Sequence, residues 1–198
     1  MAFLHVKQPS GTGFFVFPVD EENVQSRVPH DFTRTYSLAS LESLIDLKTI
    51  SQLKTRLGSG RLSVVGLWPD DDVTKKWQLI IGGETCLFVT RTALVASGTV
   101  IYSKRSRQLA DAVFGKGAQG MYELLILLVG VEPFQFTLQQ FYEAIGRKSR
   151  SPYKTFTTLS TQNIHKIEER FGSIYSFFEA ARARPQPANA KDAPGPAG

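Results

Sequence analysis

The alternation of apolar and polar positions divides the chain into segments of different period. The stretch Gly13-Phe-Phe-Val-Phe-Pro18 reads as a short strand ended by proline. An irregular polar segment follows from Asp20 to Arg34. The clearest helical period then runs from Ser37 to Gly58. Leu38, Leu41, Leu44, Ile45, Ile50, Leu53 and Leu57 recur three or four apart. Ser37 is placed to cap this segment, and Gly58 to stop it. The phase slips between Asp46 and Thr49, which predicts two short helices rather than one.

Residues 61–103 have the composition of strands. Arg61 to Trp68 is the first, and Pro69-Asp-Asp-Asp72 reads as an acidic turn. Trp77 to Ile81 is the second, with Gly82-Gly83 as a hairpin signal. Cys86 to Thr90 and Thr99 to Ser103 complete the set. The short connections favour antiparallel pairing. Arg105 to Phe114 then has a helical period, and the apolar run from Gln119 to Val129 is expected as a buried helix.

The remainder reads as helical. Thr137-Leu-Gln-Gln140 fits a capping box ahead of a helix that ends at Gly146. Arg147 to Lys154 is a basic loop. Ser160 or Thr161 opens a helix bearing Ile164, Ile167 and Phe171, closed by Gly172. Ser173 caps a last helix with Tyr175, Phe177 and Phe178. From Pro185 the chain has no large apolar residue and is expected to be disordered. The expected fold is α+β: a small antiparallel sheet packed by helices (1–136), a helical basic module (137–184) and a disordered tail (185–198).

Charge adds to this picture through its distribution. The chain carries 23 Lys and Arg against 18 Asp and Glu. Residues 1–98 hold ten of each sign, residues 99–136 four against three, and residues 137–198 nine against five. The excess of four in the last segment points to a polyanionic partner, RNA or DNA. Two clusters stand out. Lys104, Arg105 and Arg107 lie between a strand and a helix. Arg147, Lys148, Arg150 and Lys154 share a loop with Tyr153. Cations neutralise phosphates, and an interleaved aromatic ring stacks on an unpaired base.

Other chemistry recedes on inspection. Gly115-Lys-Gly-Ala-Gln-Gly120 has the spacing of a dinucleotide loop, but such a loop must follow a strand and open a helix. Here a helical pattern precedes it, so it is expected to be a turn that presents Lys116. The aspartates at 70–72 are not followed by the lysine spacing of a nuclease strand. His5, His30 and His165 are dispersed, and Cys86 sits in an apolar run that predicts burial. No cofactor, metal or catalytic set is expected, and no segment has the length of a membrane span. One cysteine and no leader pattern suggest an intracellular setting, cytoplasmic or nuclear, or a virion.

The functional expectation is a non-enzymatic nucleic-acid-binding or structural protein that contacts phosphates through its basic loops. A viral coat, nucleocapsid or matrix component has the same profile. The alternative is a protein–protein adaptor or self-associating protein that docks through Tyr175, Phe177 and Phe178. An enzyme ranks third.

Overall fold

The structure is a computed structural model and describes residues 13–19, 26–27, 35–57, 60–115, 122–147 and 151–182. The Gly58 stop, the Lys116 loop, Lys148, Arg150 and the tail all lie outside the described residues. The chain begins with three strands, β1 (Phe14–Pro18), β2 (Ser26–Arg27) and β3 (Tyr36–Ser37). Helix α1 (Leu38–Leu41) follows, with a 3-10 turn at Glu42–Leu44 and then helix α2 (Leu47–Leu57). The phase slip thus marks a real break. Ser37 caps α1 by accepting from Ser40 N, and Asp46 caps α2 by accepting from Thr49 N at 2.9 Å.

Strand β4 (Arg61–Leu67) leads to helix α3 (Asp71–Trp77), then to strands β5 (Thr85–Val89) and β6 (Ala93–Arg105). After helix α4 (Arg107–Phe114) comes strand β7 (Leu124–Thr137). The order then runs helix α5 (Leu138–Ala144), strand β8 (Thr157–Thr158), helix α6 (Thr161–Phe171) and helix α7 (Ile174–Arg182). Thr137 and Gln140 form the capping box of α5, Ser160 caps α6, and Gly172 ends α6 at φ 78°.

The fold is α+β. The sheet order is β2-β4-β7-β6-β5-β1-β8, with β3 also paired to β4. Among the described residues it has eight strands rather than a few, and one pair, β1 with β5, is parallel. The connection between those two strands carries β2 to β4 and three helices, the long crossover that a parallel pair needs.

Three elements differ from the expectation. Residues 71–77 form helix α3, not a turn and a strand. Asp70 accepts from Val73 N at 2.8 Å, so the acidic run is a helix start with Asp71 and Asp72 in its first turn. Lys75 and Lys76 occupy its last turn, and both sets of charges complement the helix dipole. Gly82 and Gly83, at φ 97° and 101°, join α3 to β5 rather than closing a hairpin. The run from Leu124 is a strand, not a helix. Leu124, Ile126 and Leu128 face one core while Leu125 and Leu127 face another, so both faces are buried and no alternation shows.

Three packed clusters result. The inner face of the sheet joins Phe15, Phe17, Val65, Leu67, Cys86, Phe88, Val100 and Phe156 with Val73 of α3. Helix α3 lies across this face. Trp77 Nε1 donates to Leu125 O of β7 at 3.2 Å, and Lys76 Nζ to Phe156 O, beside β8, at 3.3 Å. Helices α1, α2 and α4 cover the opposite face of β4 and β7. Helices α5, α6 and α7 pack on Phe14, Val16, Leu87, Leu94 and Phe136. The helical C-terminal part therefore shares its core with the sheet.

Candidate nucleic-acid interface

Register gathers one set of side chains at one end of the sheet. Leu67 at the end of β4 pairs with Leu124 at the start of β7, which pairs with Arg105 at the end of β6. Trp68, Tyr122 and the Lys104–Arg107 cluster consequently stand at neighbouring strand ends. The turn from β6 into α4 is fixed locally. Ser106 N donates to Glu123 O at 2.9 Å, and Ser106 Oγ accepts from Leu109 N at 3.2 Å.

The aromatic part of this end is ordered by packing. Trp68 is 39% exposed, and its ring meets that of Tyr122 edge-on at 6.5 Å. Tyr122 in turn packs edge-on against Phe114 at 6.2 Å. Gly66 makes this closeness feasible. A Cβ there would stand 2.7 Å from Phe114 Cε2 and 2.8 Å from Tyr122 O.

The cations are part engaged. Lys104 Nζ donates to Asp46 Oδ2 at 3.2 Å, and Arg105 Nε to Glu123 Oε1 at 2.7 Å. Arg107 is exposed. Asp46 also accepts from Thr49 N and Thr49 Oγ1, and these bonds together with Lys104 hold its carboxyl down to about 2. Asp46 is half-exposed, so a phosphate can take its place on Lys104 at small cost, whereas the Glu123 carboxylate is only 13% exposed and keeps Arg105, whose own exposed side chain leaves room for a phosphate beside it.

The second basic cluster is arranged differently. Arg147 Cζ lies 4.6 Å from the ring centre of Tyr142 and 4.4 Å from that of Tyr153. Tyr153 is half-buried and also packs on Phe141. Tyr142 Oη donates to Ser151 O at 2.7 Å, which ties the loop back to α5. Burial raises the pKa of both tyrosines, and the Arg147 charge opposes that rise. Arg147 and Tyr153 thus hold this loop down, while Lys154 is exposed. The loop lies beyond Thr137, whereas the first cluster pairs with Leu124, so the two stand past opposite ends of β7.

The aromatic last helix is also committed inward. Phe177 is fully buried, edge-on to Phe136 at 5.3 Å, and Phe178 belongs to the same core. Of the three residues assigned to docking, only Tyr175 is exposed, at 70%. Gly115 ends α4 at φ 87° with its N–H on Asp111 O, so the glycine string follows a helix. Among the described residues, no group of three His, Cys, Asp or Glu could hold a metal. Cys86 is buried, which pushes its thiol far above the ordinary range. His165 is exposed beside Glu169 on α6.

No family of known proteins matches this chain, and comparison with curated proteins and with solved structures finds no match either. The site accordingly rests on its own geometry.

Two parts of this sheet end escaped the sequence reading. The sequence pattern places Trp68 at the end of a strand and Tyr122 within a helix. Their signal was an aromatic residue directly before Pro69 and another five positions after Lys-Gly, each next to an apolar run. The sequence pattern places Leu79 and Ile81 in a strand, yet they stand 64% and 81% exposed on the loop after α3. Among the described residues no helix is long and apolar enough to cross a membrane.

Proposed function

We propose that the protein binds nucleic acid at this end of the sheet. The observation that supports it is an exposed Trp68, set against Tyr122, at the same strand ends as Lys104, Arg105 and Arg107. A phosphate replaces Asp46 as partner of Lys104 and another joins Glu123 on the exposed side of Arg105, and Arg107 adds a third cation at the start of α4. Trp68 offers a ring on which an unpaired base stacks. The role is binding without chemistry, in whichever intracellular compartment or particle holds the nucleic acid. The adaptor alternative retains Tyr175 alone, since Phe177 and Phe178 are used in the core.

Binding of a labelled single strand and a labelled duplex over a salt series tests this. Each phosphate contact contributes about 0.9 to the slope of log affinity against log salt on duplex, and about 0.7 on single strands. Arg105→Ala with Arg107→Ala lowers that slope by roughly one to two units. Trp68→Ala costs about 1–3 kcal/mol on single strands. Binding by both variants with the parent's affinity and slope rejects this site.

A further inference from the structure

Strand alternation sorts the charges at this sheet end by face. Side chains two apart on a strand share a face. A Cβ on Gly66 would meet Phe114 and Tyr122, so Gly66, and with it Trp68, lies on the face that α4 covers. Lys104 pairs in register with Leu125, which belongs to that same face, and its amine reaches Asp46 at the cap of α2. Arg107 opens α4. The exposed ring of Trp68 and these two cations therefore share one side of the sheet end.

The other side is negative. Asp70 N donates to Trp68 O at 3.0 Å, and α3 turns from there onto the inner face, where Val73 packs. Asp71 and Asp72 are exposed in its first turn. Asp72 pairs with Lys76, yet the Asp72 side chain is 70% exposed against 25% for its partner. The anion thus faces solvent and the ammonium lies beneath it. With Asp70 these carboxylates outweigh the half positive charge, roughly, of a helix N-terminus. Lys75 and Lys76 stand in the last turn, so the start of α3 stays negative. Asp71 follows Trp68 by three residues, which keeps their Cα atoms within about 11 Å.

A strand of nucleic acid presents phosphates along one side and bases along the other. With phosphates on Lys104 and Arg107 and a base on Trp68, the side away from the phosphates points past Trp68 toward Asp71 and Asp72. In a single strand that side carries base edges, whose amino groups donate to carboxylates. In a duplex it carries a second strand, whose phosphates meet the carboxylates, and like charges brought together oppose binding. We infer that the ligand is a single strand, and that Asp71 and Asp72 are the residues that exclude a duplex. This inference rests on the proposed nucleic-acid site and names the form of ligand it takes.

The test measures binding of the full chain, at low salt, to a short DNA strand of mixed sequence and to the same strand annealed to its complement. The parent should bind the single strand about tenfold tighter. Asp71→Asn with Asp72→Asn should raise duplex affinity by about tenfold and single-strand affinity far less, so that the preference falls toward one. Asn keeps an acceptor at each position and Asp70 keeps the cap, so the melting temperature should stay close to the parent's. Glu168→Gln with Glu169→Gln removes the same charge from exposed positions on α6 and should leave the preference unchanged. A parent that binds duplex as tightly as single strand, or tighter, overturns the exclusion and leaves the nucleic-acid site standing. So does a preference that persists without the two aspartates, or one that the α6 variant abolishes equally. Binding of neither form overturns both readings.

Discussion

Arg147 lies over the ring of Tyr153, with Cζ 4.4 Å from the ring centre. A second ring, that of Tyr142, lies 4.6 Å from the same carbon. A cation held between two rings acts in the protein's own packing, so this part of the basic loop is structural. Arg147→Ala should lower stability by about 1–2 kcal/mol, measured by urea unfolding. Arg147→Lys should recover little of the loss, because an ammonium lacks the planar face that stacks. A variant as stable as the parent would show that the rings do not depend on the cation.

The same cluster predicts a spectroscopic titration. Burial raises the pKa of Tyr142 and Tyr153 above the ordinary value of 10.0. Their neutral forms are favoured in the fold. The resulting contribution to stability is full below pH 10 and is lost as pH rises through the raised values. Absorbance of tyrosinate should therefore include a late component, and unfolding at high pH should follow that component. A single transition near pH 10 for all six tyrosines would contradict this.

Gly66 has a packing role that a substitution exposes. A methyl group there meets Phe114 and a backbone oxygen, and the backbone cannot swing aside. Gly66→Ala should cost about 1–3 kcal/mol of stability, as overpacking commonly does. It should also shift Trp68 fluorescence, since Tyr122 lies between the two sites. Unchanged stability and emission would mean that the aromatic set repacks freely.

The carboxylates beside the basic cluster should limit affinity. Glu123→Gln and Asp46→Asn each remove a charge that competes with phosphate for Arg105 or Lys104. Both variants should bind nucleic acid more tightly at low salt, with salt dependence at least as steep. Asn keeps the cap of α2, because its side chain accepts from Thr49 N as Asp46 does. In the parent, the carboxylate form of Asp46 stabilises this cap above pH 3.8 and the effect is lost as pH falls through about 2. Weaker binding by either variant would place these residues outside the interface.

Where a local rule decides the structure, the chain could be read directly. Caps at Ser37, Ser160 and Thr137, the stop at Gly172 and the break near Asp46 all follow from one or two residues acting on adjacent backbone. The misread elements are those that burial decides. Leu124 to Leu128 are apolar without alternation because helices and sheet cover both faces of β7, and that pattern does not separate strand from helix. Asp70 to Asp72 serve equally as a turn or a helix start until Val73 is seen to pack in the core. The basic residues at 104–107 were visible as charge. Their company was not, because Trp68 and Tyr122 come from distant sequence through strand register. Likewise, nothing local to Arg147 shows that two tyrosines enclose it.

The most direct measurement is an amide chemical-shift titration of the full chain with a short single-stranded oligonucleotide. The account predicts the largest shifts at Trp68, at residues 104–107 and at residues 122–124. It predicts little change at Arg147, Tyr153 and Tyr175. Shifts concentrated on residues 147–154 or along α7, with the sheet end silent, would contradict it.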